Sequence, residues 1–347
     1  MISFKKILFA LTFTLCSFNI AFADVNDSII QNSEVAKKLS DYGFFEDLVS
    51  QSPSKEVLPY DLISPLFSDY ADKLRFIYIP SKGFAEYRPD KVFDFPEGTV
   101  LIKTFAYLNE YPGSDLDQQL LETRLLIKKS NQWENVSYVW NKEQNDAFLT
   151  IAGKTISTQF INNNGDIQDV RYRVPNINQC KECHQSEKSI QPIGPKARNL
   201  DKDFVYEDGV MNQLMKWHKQ GWIKKDIKVE AMVDWTNDLA SIDNRARSYL
   251  DINCGHCHVK GGSADTTGLY LDFKENREIH LGLFKKPIAA GRASNNLKYS
   301  IVPGDPESSI LLFRMKSLDP GIMMPESGRA LEHKEAVRLI SKWIKNL

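Results

Sequence analysis

The chain contains one five-residue pattern twice, Cys-x-x-Cys-His, at residues 180–184 and again at residues 254–258. Two thiols at this spacing, followed at once by an imidazole, form the attachment signature of a c-type haem. The spacing suits the chemistry, because the two thiols reach the two vinyl groups of one porphyrin. The histidine then lies beneath the iron as its axial ligand. The repeated pattern therefore predicts two covalently attached haems.

This prediction assigns attachment to four cysteines and iron ligation to two histidines, namely Cys180, Cys183, Cys254, Cys257, His184 and His258. Two Cys-x-x-Cys pairs could instead hold a zinc ion, or one pair could be a thioredoxin-like dithiol. Neither alternative explains why histidine follows both second cysteines. The dithiol interpretation also needs a βαβ context, which the sequence does not show.

The first 23 residues have the composition of a secretory signal peptide. Lys5 and Lys6 form a basic start, residues 7–20 are largely apolar, and residues 21–23 read Ala-Phe-Ala before Asp24. This is the order of a signal peptide with its cleavage site. The apolar run is short for a membrane span. We therefore predict export to the periplasm, with no transmembrane segment left after cleavage.

Cys16 offers an alternative to simple cleavage, since a cysteine here could carry a lipid anchor. The large Leu15 before it favours cleavage, because lipoprotein signals normally have a small residue at that position. Cleavage after Ala23 would also remove Cys16. The four cysteines that remain of the original five all belong to the two haem motifs, so none is left for a structural disulfide.

Charge and motif content exclude several classes of partner. Loss of Lys5 and Lys6 with the signal peptide would take the formal net charge from -1 to -3. A near-neutral surface of mixed sign lacks the basic patch that nucleic-acid binding requires. No Ser-His-Asp set, phosphate loop or non-haem metal cluster stands out. The partners we expect are other periplasmic redox proteins.

The segment from about residue 60 to residue 174 has the pattern of short strands. It resembles cytochrome P460 and cytochrome c′-β in its Phe-Pro-x-Gly-Thr-Val strand entry at residues 95–100, its Trp133-bearing strand and the closing motif at residues 180–184. This resemblance implies an antiparallel sheet or partly closed barrel and an open distal face on the first haem. Lys103 is a candidate for the haem-linked lysine of cytochrome P460, although an ordinary strand lysine is the alternative.

The segment around the second motif resembles a class I cytochrome c. A helix with a buried stripe precedes the motif, a helix at residues 331–343 closes the chain, and a Met-Pro loop lies between them. The resemblance makes Met324, next to Pro325, the opposite iron ligand to His258, with Met323 as the next candidate. Met211, Met215 and His218 are candidates for the opposite ligand of the first haem.

The exported chain as a whole resembles a family of bacterial dihaem c-type cytochromes. The resemblance rests on residues 95–105, 122–126, 180–184 and 254–324. The expected fold class is α+β, with an N-terminal antiparallel β-rich haem domain followed by an all-α cytochrome c domain. The expected divisions are a signal peptide at 1–23, the β-rich domain at 24–223, a linker at 224–234 and the class I-like domain at 235–347.

Two functions remain open at this point. The first is electron transfer between periplasmic redox partners by a dihaem c-type cytochrome. The alternative is a haem enzyme or gas-binding protein, an oxidoreductase acting at an open first haem on hydroxylamine, nitric oxide or peroxide. The second haem would then be its electron port.

Overall fold

The structure is a computed structural model that describes residues 24–108, 118–130, 132–162, 164–186, 189–288 and 290–347. The predicted signal peptide, Cys16 included, lies outside these residues. Within the described ranges, no helix combines the length and the apolar composition needed to cross a membrane.

Fourteen strands form in the described ranges: β1 (Phe45–Asp47), β2 (Ser52–Pro53), β3 (Val57–Tyr60), β4 (Asp72–Tyr78), β5 (Val100–Leu108), β6 (Gln118–Lys129), β7 (Gln132–Trp140), β8 (Ala147–Leu149), β9 (Lys154–Ile161), β10 (Ile167–Val174), β11 (Gln185–Ser186), β12 (Ser189–Ile190), β13 (Asp203–Tyr206) and β14 (Gly209–Asn212). The α-helices are α1 (Asp27–Gln31), α2 (Ile177–His184), α3 (Ala197–Leu200), α4 (Gln213–Lys219), α5 (Ile242–Asn253), α6 (Glu278–Leu281), α7 (Ile310–Lys316) and α8 (Lys334–Asn346).

The largest element is an antiparallel sheet of six strands in the order β3-β4-β5-β6-β7-β8. Successive side chains of a strand point to opposite faces, so each face has its own composition. One face carries Phe76, Tyr78, Ile102 and Leu125 into a large buried cluster. The other face carries cationic side chains of β4, β5 and β6 toward an internal cavity.

An aromatic cluster covers one end of that second face. Trp217 of α4 is fully buried and packs against Tyr60 and Phe95, with ring centroids 6.1 and 6.3 Å away. Large aromatic side chains bury much apolar surface and prefer such edge-on contacts. The cluster fixes residues 197–223 against the sheet and leaves the rest of the face open to the cavity.

A separate core holds the C-terminal part of the chain. Helices α5, α7 and α8 contribute Leu250, Leu312 and Ile340 to one buried cluster. The indole N–H of Trp343 donates a hydrogen bond of 2.8 Å to Asp243, which ties the last helix to the first turn of α5. Because these helices are short, their stability comes mainly from the burial of their apolar side chains.

The prediction of an all-α cytochrome c domain is wrong. Strands in several sheets dominate the described chain, and its eight α-helices are short. Between α5 and α7 the chain runs mostly in turns, and isolated parallel bridges join Leu283 to Ile301 and Tyr299 to Ser309. Glycines and prolines recur through residues 255–309 and interrupt helices. The apolar patterns that predicted helices lie only at the two ends of the C-terminal part, and they do not continue through the region between them.

A buried carboxylate joins the C-terminal loop to the β-rich part. Asp69, 2% exposed, accepts hydrogen bonds from the backbone N–H groups of Ala330 (2.7 Å) and Leu331 (2.8 Å). Its own backbone is left-handed, with φ 51°, a conformation that aspartate and asparagine tolerate better than most residues. This contact positions the chain that follows the Met-Pro loop.

Replacing Asp69 by alanine is expected to lower the free energy of unfolding. Each buried N–H group left without an acceptor costs about 1–3 kcal/mol. Asp69→Asn is the matched control, since it keeps one acceptor oxygen and the left-handed preference, and a smaller loss is expected. Chemical denaturation measures both. Equal stability of the alanine variant and the wild type would show that the contact does not hold these segments together.

Candidate functional site

Both Cys-x-x-Cys-His motifs open onto one internal cavity of about 770 Å³. Its wall includes Met324 and all six residues predicted from the two motifs. These six are Cys180, Cys183, His184, Cys254, Cys257 and His258. Sixty-nine residues of chain separate the two motifs, and the cavity brings them together.

The first motif lies on α2, which follows β10 in the chain. Asn176 caps this helix: its side chain accepts from the N–H groups of Asn178 and Gln179, and the Gln179 side chain accepts from the N–H of Asn176. Such a capping box satisfies the free donors of the first turn. Cys180 and His184 are four residues apart, so they share one helical face. That face lines the cavity.

The second motif begins where α5 ends. Ser241 caps the start of this helix, and the N–H of Cys254 still donates to the carbonyl of Leu250 at 2.9 Å. The chain then turns sharply. A Cβ at Gly255 would lie 2.7 Å from the carbonyl oxygen of Asp251, so the turn between the two thiols requires glycine.

Each motif histidine has one ring nitrogen held by the backbone. Nδ1 of His184 lies 2.8 Å from the carbonyl oxygen of Gln191, and His258 hydrogen-bonds the backbone of Leu269. Such a bond orients the ring and leaves the other nitrogen for a metal. Burial lowers the pKa of both imidazoles to about 4, so both are neutral at pH 7, the form that ligates a metal.

The two motifs touch through their second cysteines. The ligand atoms of Cys183, His256 and Cys257 all lie within 4.8 Å of one another. The Cys257 thiol also donates to the carbonyl of Glu182 at 3.7 Å. A hydrogen bond between the two thiols lowers the pKa of Cys183 and raises that of Cys257.

This contact group could itself hold a metal ion. Structural zinc sites use four ligands in a closed tetrahedron, while catalytic sites keep three and an open position. The described chain supplies three, namely Cys183, His256 and Cys257. Zinc at this point would leave Cys180, Cys254 and both motif histidines without a role. The alternative is open to test because His256 belongs to the zinc group and to neither predicted haem ligand set.

Met324 and Met323 occupy different environments. Met324 lines the cavity, whereas Met323 is 1% exposed and is not part of the cavity wall. The loop is held from both sides, because the N–H of Met324 donates to the Arg314 carbonyl and Arg329 donates to the Met324 carbonyl, each at 3.0 Å. The geometry thus favours Met324 over Met323 as a ligand.

The other ligand candidates from the sequence lie elsewhere. Met211, Met215 and His218 are not part of the cavity wall. Met215 is 58% exposed, and Nδ1 of His218 lies 3.0 Å from the carbonyl of Ile223. Helix α4 packs on the aromatic cluster through Leu214 and Trp217, and Met215 and His218 lie outside the cavity wall.

The sequence analysis missed His333 as a cavity residue. Its ring stacks on Phe67 at a centroid distance of 4.0 Å, and its Nδ1 lies 3.2 Å from the hydroxyl of Tyr249. Burial lowers its pKa to about 4. No motif surrounds His333, and its neighbours come from distant parts of the chain, so no local signal could have identified it.

Two cations of the sheet, Arg75 and Arg124, had no role predicted from the sequence, whereas Lys103 was already a candidate. Arg75, Lys103 and Arg124 line the cavity beside His184. Burial and the neighbouring Arg124 and Arg75 lower the pKa of Lys103 to about 7. The alternation of side chains along a strand could have predicted which face each cation lies on. Only the pairing of the strands brings the three cations next to one another.

The donor set and the lining could hold c-type haem. Each motif presents two thiols and one neutral imidazole to the cavity. A haem is an apolar macrocycle with carboxylate groups at one edge. The cavity wall combines apolar side chains, among them Phe105, Leu269 and Leu311, with arginines and lysines that suit those carboxylates.

No family model, no curated protein and no solved structure matches this chain. The functional argument therefore stands on the geometry of the cavity.

Proposed function

We propose that the chain is an exported dihaem c-type cytochrome that carries electrons between periplasmic redox partners. The observation that carries the proposal is the convergence of both Cys-x-x-Cys-His motifs on one cavity. The zinc and dithiol alternatives do not require six thiol and imidazole groups to share one wall. Export and the periplasmic location rest on the composition of residues 1–23.

The protein residues have separate roles in this proposal. A c-type haem, when bound, supplies a one-electron centre at its iron. The cysteine pairs hold each macrocycle in place, and the backbone bonds of His184 and His258 fix the direction of the ligating nitrogen. Met324 would supply the second protein ligand of the haem at His258, and its loop is held by backbone bonds to Arg314 and Arg329.

The contact between the motifs favours electron transfer in particular. Cys183 and Cys257 are attachment points of different haems, and their sulfur atoms lie within 4.8 Å of each other. Groups attached to these two atoms would be close neighbours, and electron exchange is fastest at short separation.

Counting covalent haems and the electrons taken up per chain tests this proposal. Two of each are expected from the protein as purified. The zinc alternative predicts bound zinc, no haem absorption in the visible spectrum and no change of that spectrum on reduction.

A second candidate function, a gas-binding protein or enzyme at the first haem, is favoured by one observation. Met211, Met215 and His218 lie away from the cavity. In the described part of the segment that follows the first motif, none of these three candidates is therefore a partner to His184 comparable to Met324. Phe105 and Lys103 line that side of the cavity instead, and an enzyme or gas sensor needs an axial position that is open or weakly held.

Carbon monoxide added to the reduced protein is expected to bind at one haem per chain. The His258 haem should not respond, because the chain offers it two ligands, His258 and Met324. Absorption spectra before and after addition measure this. If neither haem responds, the catalytic alternative fails. His333→Ala then tests whether the imidazole of His333, which lines the same cavity, fills the position.

A further inference from the structure

Three cationic side chains lie side by side on the sheet face that lines the cavity. Arg75 of β4 is directly opposite Lys103 of β5, and Lys103 is directly opposite Arg124 of β6. Directly opposed residues of antiparallel strands have Cβ atoms about 4.5–5.5 Å apart, and like charges so placed destabilise a sheet. We call Arg75, Lys103 and Arg124 the cationic row.

The central member of the cationic row, Lys103, forms no salt bridge with any residue that the structure describes. Arg75 donates to Asp61 at 2.9 Å, and Nε of Arg124 donates to Glu122 at 2.8 Å. Among the described residues, Lys103 has neither a hydrogen bond nor a carboxylate partner. Its Nζ lies 5.2 Å from the centre of the Phe105 ring. An unpaired cation in a protein interior is costly, so this arrangement calls for an anion.

A small pocket lies against the cationic row. It has a volume of about 40 Å³, and its wall includes the row, Asn135 and His184. This is room for about three water molecules. The side-chain Nδ2 of Asn135 is buried and has no hydrogen-bond partner among the described residues. A buried amide donor without a partner is rare and indicates a missing acceptor.

We propose that this pocket binds a carboxylate-sized anion between Lys103 and Asn135, beside His184. Lys103 supplies the charge, the Asn135 amide supplies a neutral donor, and the guanidinium groups of Arg75 and Arg124 flank the site. The chemistry is the same for a small oxyanion from solution and for a propionate carboxylate of the first haem. Only this second source rests on the proposed function.

Formate is a suitable probe, with formamide as the uncharged molecule of the same size. If the anion comes from solution, isothermal titration calorimetry of the protein as purified should detect formate and not formamide. Lys103→Met should weaken formate binding about tenfold to hundredfold, because the variant loses the free energy of a hydrogen bond between charged groups. Asn135→Leu should weaken it less, because the lost donor is neutral. Lys154→Gln, which removes an exposed strand lysine, should leave binding unchanged.

A second measurement separates the two sources of the anion. If the haem-loaded wild type shows no heat with formate but Lys103→Met lowers the midpoint potential of the first haem, the carboxylate belongs to the haem. The direction follows because loss of a nearby positive charge favours the oxidised iron. If formate does not bind and the potential is unchanged, the inference is overturned.

Two controls keep the result interpretable. Circular dichroism and thermal unfolding show whether Lys103→Met remains folded, and Lys103→Arg should restore binding because it restores the charge. Formate binding to a protein purified without haem would support the pocket while contradicting the proposed function. Equal loss of binding in Lys154→Gln would show that the effect is general electrostatics and would overturn the assigned pocket.

Discussion

Wild-type protein is expected to carry two covalently attached haems, and replacing both cysteines of either motif by alanine is expected to leave one. The reason is geometric: each motif supplies its own pair of thiols and its own imidazole to the shared cavity. Intact mass measures the haem number directly, and acid-acetone extraction shows whether the haem is covalently held. An apo mass for the wild type would contradict the proposal.

His256→Gln is the control that separates haem from zinc. His256 is one of the three side chains of the Cys183 contact group, yet it occupies a variable position inside its Cys-x-x-Cys-His motif. A haem protein should therefore keep both haems in this variant. A zinc protein should lose most of its metal, because one of three ligands is gone. Measuring iron and zinc in the wild type and in the variant distinguishes a haem protein from a zinc protein.

Met324→Ala is expected to abolish the near-infrared charge-transfer band of methionine ligation in the oxidised protein. It should also lower the midpoint potential of the His258 haem, since a thioether ligand stabilises ferrous iron. The change should be on the order of 100 mV, within the range of about 0.8 V that axial ligands span. Near-infrared absorption and a redox titration measure the two effects.

Met323→Ala is the matched control for this prediction. Met323 is buried outside the cavity wall, so its truncation should cost about 2–5 kcal/mol of stability and leave the band in place. A band lost in Met323→Ala and retained in Met324→Ala would assign the ligand to Met323. An unchanged spectrum in both variants would place the ligand elsewhere.

The fold could be predicted from the sequence where local patterns dominate. Runs of β-branched and aromatic residues at 99–105 and 133–140 predicted strands, and β5 and β7 occupy them. A helical stripe before the second motif predicted α5. The region between α5 and α7 could not be predicted in this way, because turns and isolated bridges depend on distant partners and have no periodicity.

The roles of single residues could likewise be predicted only where they depend on neighbours in the chain. The spacing of each Cys-x-x-Cys-His motif assigns thiols and imidazole because they are neighbours in the chain, and no folding is needed to see it. The sequence ranks Met324 above Met323 only through its position next to Pro325. The loop's bonds to Arg314 and Arg329 place one side chain in the cavity wall and bury the other outside it.

By itself, the sequence determined the six attachment and ligand candidates, because covalent attachment to one porphyrin is a short-range requirement. Tertiary structure alone decided that both motifs share one cavity and that Cys183 lies beside Cys257. It also decided that Arg75, Lys103 and Arg124 stand in a row. Strand register and helix packing join residues far apart in the chain, and those long-range contacts leave no local signal.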